Sequence, residues 1–216
     1  MEIILLAILG AIFGSFLNVV IYRLPRSESV ISPSSRCPAC THRLKPWENI
    51  PVLSYLFLRG KCSSCHTHIP IRYLIVELLT PLCFIANYLL FGFSLSFFKF
   101  TLLILMLIPI TFIDIDHKLI LDKLTLPGIL AGLLFSIIQN PALFYQPFLG
   151  ILVGGGVLWL IAIIGRLVYK RESMGGGDIK LGAMIGAFIN VQLLLLSFFL
   201  AFFIAALFAV VGMMSG

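Results

Sequence analysis

The sequence predicts an all-α polytopic membrane protein of six to seven transmembrane helices with one small, zinc-ribbon-like cytoplasmic loop domain. Three observations predict it. The 216 residues are 60% hydrophobic and 11% charged, with a mean hydropathy of +1.10, far above the roughly 45–50% apolar content of a soluble domain. Apolar runs approaching the roughly 20 residues that span a bilayer recur six times. Four of the five cysteines fall in the single long polar stretch, residues 23–72.

The runs cover residues 3–21, 73–91, 97–113, 124–138, 148–164 and 191–214, with a seventh candidate at 179–189. The first is not a secretory signal, because it lacks a basic leading region and a small-residue cleavage site before Tyr22-Arg23. Glu2 precedes the run and Arg23 and Arg26 follow it, so the helix is read as a retained anchor with its N-terminus outside. The domain organisation expected is a first transmembrane helix over 1–22, a cytoplasmic four-cysteine loop over 23–72 and a membrane domain over 73–216, with only Ser215-Gly216 after the last run.

Basic residues test this orientation. Residues 23–72 hold eight Lys/Arg; Lys118 and Lys123 lie between the third and fourth runs; Arg166, Lys170, Arg171 and Lys180 follow the fifth. With alternating spans, fourteen of the fifteen basic residues share one face, Lys99 alone lying opposite. That face is the cytoplasm by the positive-inside bias. The net charge of +6 is then a topological signal and not a nucleic-acid footprint, since no basic–aromatic groove pattern accompanies it.

A piece as small as 23–72 has a marginal core unless something staples it. Cys37-Pro-Ala-Cys40 and Cys62-Ser-Ser-Cys65 are two C-x-x-C knuckles at the spacing of four-cysteine zinc ribbons. A reducing compartment argues against disulfides, and redox pairs do not come doubled at this spacing. His42, His66 and His68 are alternative ligands or solvated loop residues. Cys83, inside an apolar run, reads as a packing residue.

The acids are more telling, because carboxylates near membrane helices are costly and kept for function. Asp114 and Asp116 end the third run, and Gly175-Gly176-Gly177-Asp178-Ile179-Lys180 opens a later helix on the same predicted face. Two carboxylates brought together share a proton, one acting as base toward water and the other as acid toward a scissile carbonyl. The glycines allow unusual dihedrals and close approach of a substrate strand. The competing reading makes Asp178 a first-turn acid complementing a helix dipole. Asp116 and Asp122 are either interfacial charges or a helix N-cap; Glu77 is an interfacial ion-pair member or a functional acid. Gly182 and Gly186 form a G-x-x-x-G spacing that permits close helix packing, and Pro109 kinks the third helix before Asp114.

Together these motifs resemble the type IV prepilin peptidase family, within the wider GxGD membrane aspartyl proteases. The likeness runs through Gly14-Ser-Phe-Leu-Asn-Val-Val-Ile-Tyr-Arg-Leu-Pro25, Pro33-Ser-Ser-Arg-Cys37, Asn49-Ile-Pro-Val-Leu-Ser-Tyr55, Arg59-Gly-Lys-Cys62, Arg72-Tyr-Leu-Ile-Val-Glu77 and Gly175-Gly-Gly-Asp178. It implies a bacterial inner-membrane aspartic endopeptidase, with Asp114 and Asp178 catalytic and Gly175, Gly176, Gly177, Asp116 and Lys180 supporting. The implied partners are type IV prepilin or pseudopilin precursors, cut after a glycine at the cytoplasmic membrane face. The resemblance further implies methylation of the new N-terminus with S-adenosylmethionine as donor, while the doubled C-x-x-C spacing itself favours a structural Zn²⁺ held by Cys37, Cys40, Cys62 and Cys65 over a redox dithiol. Two departures stand out. Leu121 sits where many members have proline, and the chain stops after Met214 where members continue into another helix. Two other classes compete: an ion-coupled transporter, which would carry its acids at mid-membrane, and a zinc-ribbon scaffold, which gives the aspartates no role.

Overall fold

A computed structural model describes residues 1–170 and 174–214; Arg171 and the tail Ser215-Gly216 lie outside the described residues. The described residues form eight α-helices: α1 Glu2–Arg23, α2 Leu53–Phe57, α3 Arg72–Phe91, α4 Leu95–His117, α5 Asp122–Gln139, α6 Tyr145–Tyr169, α7 Gly176–Phe188 and α8 Val191–Met214. Among the described residues no strand occurs, and six helices, α1, α3, α4, α5, α6 and α8, are long and apolar enough to cross a membrane. The seventh candidate is a helix, α7, but its 13 residues rise only about 20 Å, short of a bilayer's roughly 30 Å hydrocarbon core. The chain divides into two compact units, Met1–Leu121 and Asp122–Gly216.

In the first unit α1 runs antiparallel to α3 through small residues. A Cβ on Gly10 would lie 2.4 Å from Pro81 Cα, and one on Gly14 would lie 2.9 Å from Glu77 Cα. One turn further, the Asn18 amide donates to the Tyr73 carbonyl at 3.0 Å. Gly10, Gly14 and Asn18 thus form one stripe at the i, i+4 spacing that shares a helix face. Between α3 and α4 the chain turns at Gly92, which has a φ of 57°, and Ser94 caps α4 by accepting the Phe97 N–H. Asn87 pins the turn by donating to the Phe97 carbonyl and to Thr101 Oγ1, both at 2.9 Å. Helix α4 continues through Pro109 to His117.

In the second unit α7 packs against both α5 and α6. A Cβ on Gly150 would fall 1.9 Å from the Gly186 carbonyl oxygen, and one on Gly154 would fall 2.2 Å from that of Gly182. Here the expected Gly182/Gly186 contact finds a matching G-x-x-x-G on α6, and the pairing makes the two helices antiparallel. Gly128 and Gly132 of α5 likewise receive Met184 and Phe188, two fully buried side chains, while Ser136 donates to the Ala187 carbonyl at 2.8 Å. Most of α8 stays exposed, as a lipid-facing helix should.

Gly186→Leu therefore drives a side chain into backbone atoms that cannot move aside. We expect a loss of about 3 kcal/mol or more, read as a lowered unfolding temperature in detergent. Gly156→Leu is the control, since a Cβ there meets nothing within 4 Å.

Candidate active site and metal centre

The two cysteine knuckles fold alike. In the first, Cys37 N–H donates to the His42 carbonyl and Thr41 N–H donates back to the Cys37 carbonyl, both at 2.9 Å. In the second, Cys62 N–H donates to the Thr67 carbonyl at 2.9 Å and His66 N–H to the Cys62 carbonyl at 3.0 Å. Thr41 and His66, each following the second cysteine of its knuckle, both adopt φ 57°. Isolated bridges Arg36↔Arg43 and Lys61↔His68 close the two turns.

This local repeat brings all four Sγ atoms within 4.8 Å of one another. Cys37 and Cys65 approach to 3.8 Å and Cys40 and Cys62 to 3.9 Å. A tetrahedron of thiolates with metal–sulfur bonds of about 2.3 Å has edges of about 3.8 Å, so the cage fits one such ion. No histidine joins the cluster among the described residues; His42 instead lies 3.3 Å from Glu48. Glu48 itself sits below its ordinary pKa because the Lys45 backbone N–H donates to it. Hydrogen bonding with Thr67 draws the Cys65 thiol down to about 6. For Cys40, a lowering contact with the His42 backbone is outweighed by sharing with Cys65 and by desolvation, which push it up to about 11. A divalent cation would displace the protons so distributed.

Of the acids, Asp114 stands half-buried in the last turn of α4, its carbonyl accepting the Lys118 N–H at 2.8 Å. Asp116 pairs with Arg72, the first residue of α3, so Arg72 does not pair with Glu77. Glu77 instead accepts the Val52 N–H at 2.7 Å. In the second unit Asp178 is half-buried in the first turn of α7. Its Oδ2 accepts the Gly175 N–H at 3.2 Å, so the first-turn capping role is realised while Oδ1 is left to other partners. Gly175 has an ordinary extended backbone, φ −73° and ψ 149°, so no left-handed dihedral demands glycine there. Open space at Gly176, where a Cβ would meet nothing, leaves room beside the acid. Lys180 grips both oxygens of Asp122 at 2.7 Å, an ion pair the sequence reading did not anticipate.

Residues 8–91 match the bacterial peptidase A24 N-terminal domain, and residues 101–210 match the type IV leader peptidase family. The chain belongs to the type IV leader peptidase family. Curated relatives agree with this membership. A prepilin leader peptidase/N-methyltransferase of Myxococcus xanthus is 41% identical over 89% of this chain and 57% of its own length. Those of Neisseria gonorrhoeae and Pseudomonas aeruginosa are 36% and 37% identical, over 96% and 94% of this chain and 81% and 78% of their own lengths. The chain thus spans little more than half of the first relative and about four-fifths of the other two. No solved structure matches.

Proposed function

We propose that this type IV leader peptidase cleaves the leader from type IV prepilin or pseudopilin precursors after a glycine, at the cytoplasmic face of the bacterial inner membrane. Membership of the family carries this reading, and the placement of its acids supports it. Asp114 lies in the last turn of the membrane-length helix α4 and Asp178 in the first turn of the short helix α7, each half-buried. In the proposed reaction the two act as a pair. One carboxylate takes a proton from water as the oxygen attacks the scissile carbonyl, and the other, protonated, donates to the carbonyl oxygen. Collapse of the tetrahedral intermediate returns the proton, the amine leaves protonated, and the leader keeps a glycine carboxylate. Lys180, in its pair with Asp122, and Asp116, in its pair with Arg72, would hold the two helix ends in place, with Gly175, Gly176 and Gly177 admitting the substrate backbone.

The same protein would then methylate the new N-terminal amine. When bound, S-adenosylmethionine would supply an electrophilic methyl to the amine lone pair, its S–CH₃ electrons returning to sulfur and one proton leaving the nitrogen. The four cysteines would hold a structural Zn²⁺, since four protein ligands leave no open position for water. Incubating the purified protein in detergent with a prepilin-like peptide tests both activities, because leader loss and methyl gain appear as separate mass changes. An intact leader after prolonged incubation would refute the peptidase reading.

The metal has its own readout. Elemental analysis of protein purified under reducing, chelator-free conditions should return about one zinc per chain. Finding none would remove the metal centre.

A further inference from the structure

The chain between α1 and α3 does not stay at the ends of the helices it joins. Helix α3 has 20 residues, a rise of about 30 Å, which matches the hydrocarbon core of a bilayer. Arg72, its first residue, therefore marks the membrane boundary, and Glu77 lies about 7–8 Å inside it. There the Glu77 carboxylate accepts the Val52 N–H at 2.7 Å. A cavity of about 310 Å³ gives a second measure, because Asn49 and Pro51 line it together with Ile12 and Phe16 of α1. Phe16 is about 10 Å along the helix from Arg23, the last residue of α1. Residues 49–52 thus re-enter alongside two membrane helices.

Helix α2 follows directly, and its two faces differ. Tyr55 turns inward, its hydroxyl donating to the Ile69 carbonyl at 3.3 Å. Leu53, Leu56 and Phe57, at the i, i+3, i+4 spacing of one helix face, are 50%, 58% and 82% exposed. The backbone beneath them is sealed. The N–H groups of Leu53, Ser54, Leu56, Leu58, Arg59 and Gly60 all donate to carbonyls within residues 50–56. Val52, held at φ 63° and ψ −52°, an outlier for a β-branched residue, directs its N–H to Glu77. Such internal satisfaction is what a backbone needs where lipid replaces water.

Charge brackets the apolar face. Lys45 precedes it and Arg59 and Lys61 follow it, and the only acid between residues 45 and 72 is Glu48. That acid is engaged within the loop, accepting the Lys45 N–H at 2.8 Å. Trp47 is exposed, with the Lys45 ammonium 5.4 Å from its ring. Tryptophan gathers at the headgroup level of a membrane, and basic side chains there are drawn to anionic lipids.

We propose that residues 50–57 form a re-entrant segment seated in the bilayer leaflet on the cysteine-loop side. Leu53, Leu56 and Phe57 lie against lipid acyl chains, and Lys45, Arg59 and Lys61 lie on anionic lipid headgroups. Lipid then covers the face that the protein leaves bare, and the loop is held at the membrane by this wedge as well as by its two ends. The proposal is independent of the peptidase and methyltransferase readings.

Fluorescence quenching tests it. The full chain carrying Trp47→Phe, Trp159→Phe and Phe57→Trp has a single indole and is reconstituted into vesicles of phosphatidylcholine and phosphatidylglycerol brominated on the upper acyl chain. Bromolipid should remove most of the indole emission, and aqueous iodide should leave it unchanged. Leu56→Trp in the same background repeats the reading, with the unfolding temperature as the folding control. Quenching by iodide and not by bromolipid puts the face in water, and quenching by neither puts it under a second copy or another protein surface; each result overturns the proposal. The headgroup contact has its own readout. At equal bromine content, bromine carried on phosphatidylglycerol alone should quench more than bromine carried on phosphatidylcholine alone, and Arg59→Gln with Lys61→Gln should erase that difference. Equal quenching by the two lipids in the chain that keeps Arg59 and Lys61 overturns the contact with anionic headgroups.

Discussion

Asp114→Asn and Asp178→Asn should each slow leader cleavage by about 10³-fold, the usual scale of losing a positioned acid or base. Both side chains are half-buried at helix ends, where an amide occupies the same volume, so insertion and folding should survive. The neutral amide neither takes a proton from water nor donates one to the carbonyl oxygen. Asp116→Asn serves as the contrast. Its carboxylate is engaged with Arg72, and a partly exposed pair of that kind contributes about 1 kcal/mol or less, so cleavage should fall less than tenfold. Rates are read by gel shift on a prepilin substrate in detergent, with the unfolding temperature as the folding control. Cleavage near the wild-type rate in either the Asp114 or the Asp178 variant would remove that residue from the catalytic pair.

How far the sequence could be read depended on the range of the interaction. The cysteine cage was legible because each knuckle is closed by hydrogen bonds over a few residues, Cys37 to His42 and Cys62 to Thr67, and the C-x-x-C spacing encodes that turn. Helix ends at Asp114 and Asp178 were legible for the same reason. Packing partners were harder to read. Gly182 and Gly186 announced a close approach, but the glycines they meet, Gly150 and Gly154, lie in a run whose Gly154-Gly155-Gly156 offers several registers. Of the five G-x-x-x-G spacings in the sequence, four, Gly10/Gly14, Gly128/Gly132, Gly150/Gly154 and Gly182/Gly186, place both glycines where a Cβ would crowd its neighbour. The one-dimensional signal was present; the pairing needed the fold. Asn18 is similar. An amide inside an apolar run is a functional signal in a membrane helix, but only the fold shows that it meets the Tyr73 carbonyl.

The two proposed chemistries should separate when the cysteine cage can no longer hold a metal ion. Cys37→Ser with Cys40→Ser removes two of four sulfurs from a cage whose members lie within 4.8 Å of one another, and two thiolates do not close a structural site. Without the ion, a loop of this size has too little core to stay ordered. Its packing against α1 and α3 should then loosen. With the loop proposed to serve methyl transfer and the aspartates cleavage, methyl transfer should fall by about 100-fold, the upper range for damage to a metal's supporting shell. The proposed catalytic pair, Asp114 and Asp178, lies outside the loop, so the loss of cleavage should be partial, within about tenfold. Some loss is expected because the Val52 N–H contact to Glu77 ties the loop to α3, and α3 in turn holds Asp116 through Arg72. The measurement is a paired assay on one preparation, scoring leader removal on prepilin and methyl incorporation from labelled donor on pre-cleaved substrate. Giving the methyl reaction a pre-cleaved substrate prevents slow cleavage from masquerading as slow methylation. A variant that cleaves poorly yet methylates normally would reverse the proposed division, placing the loop in service of the aspartates instead of the methyl donor.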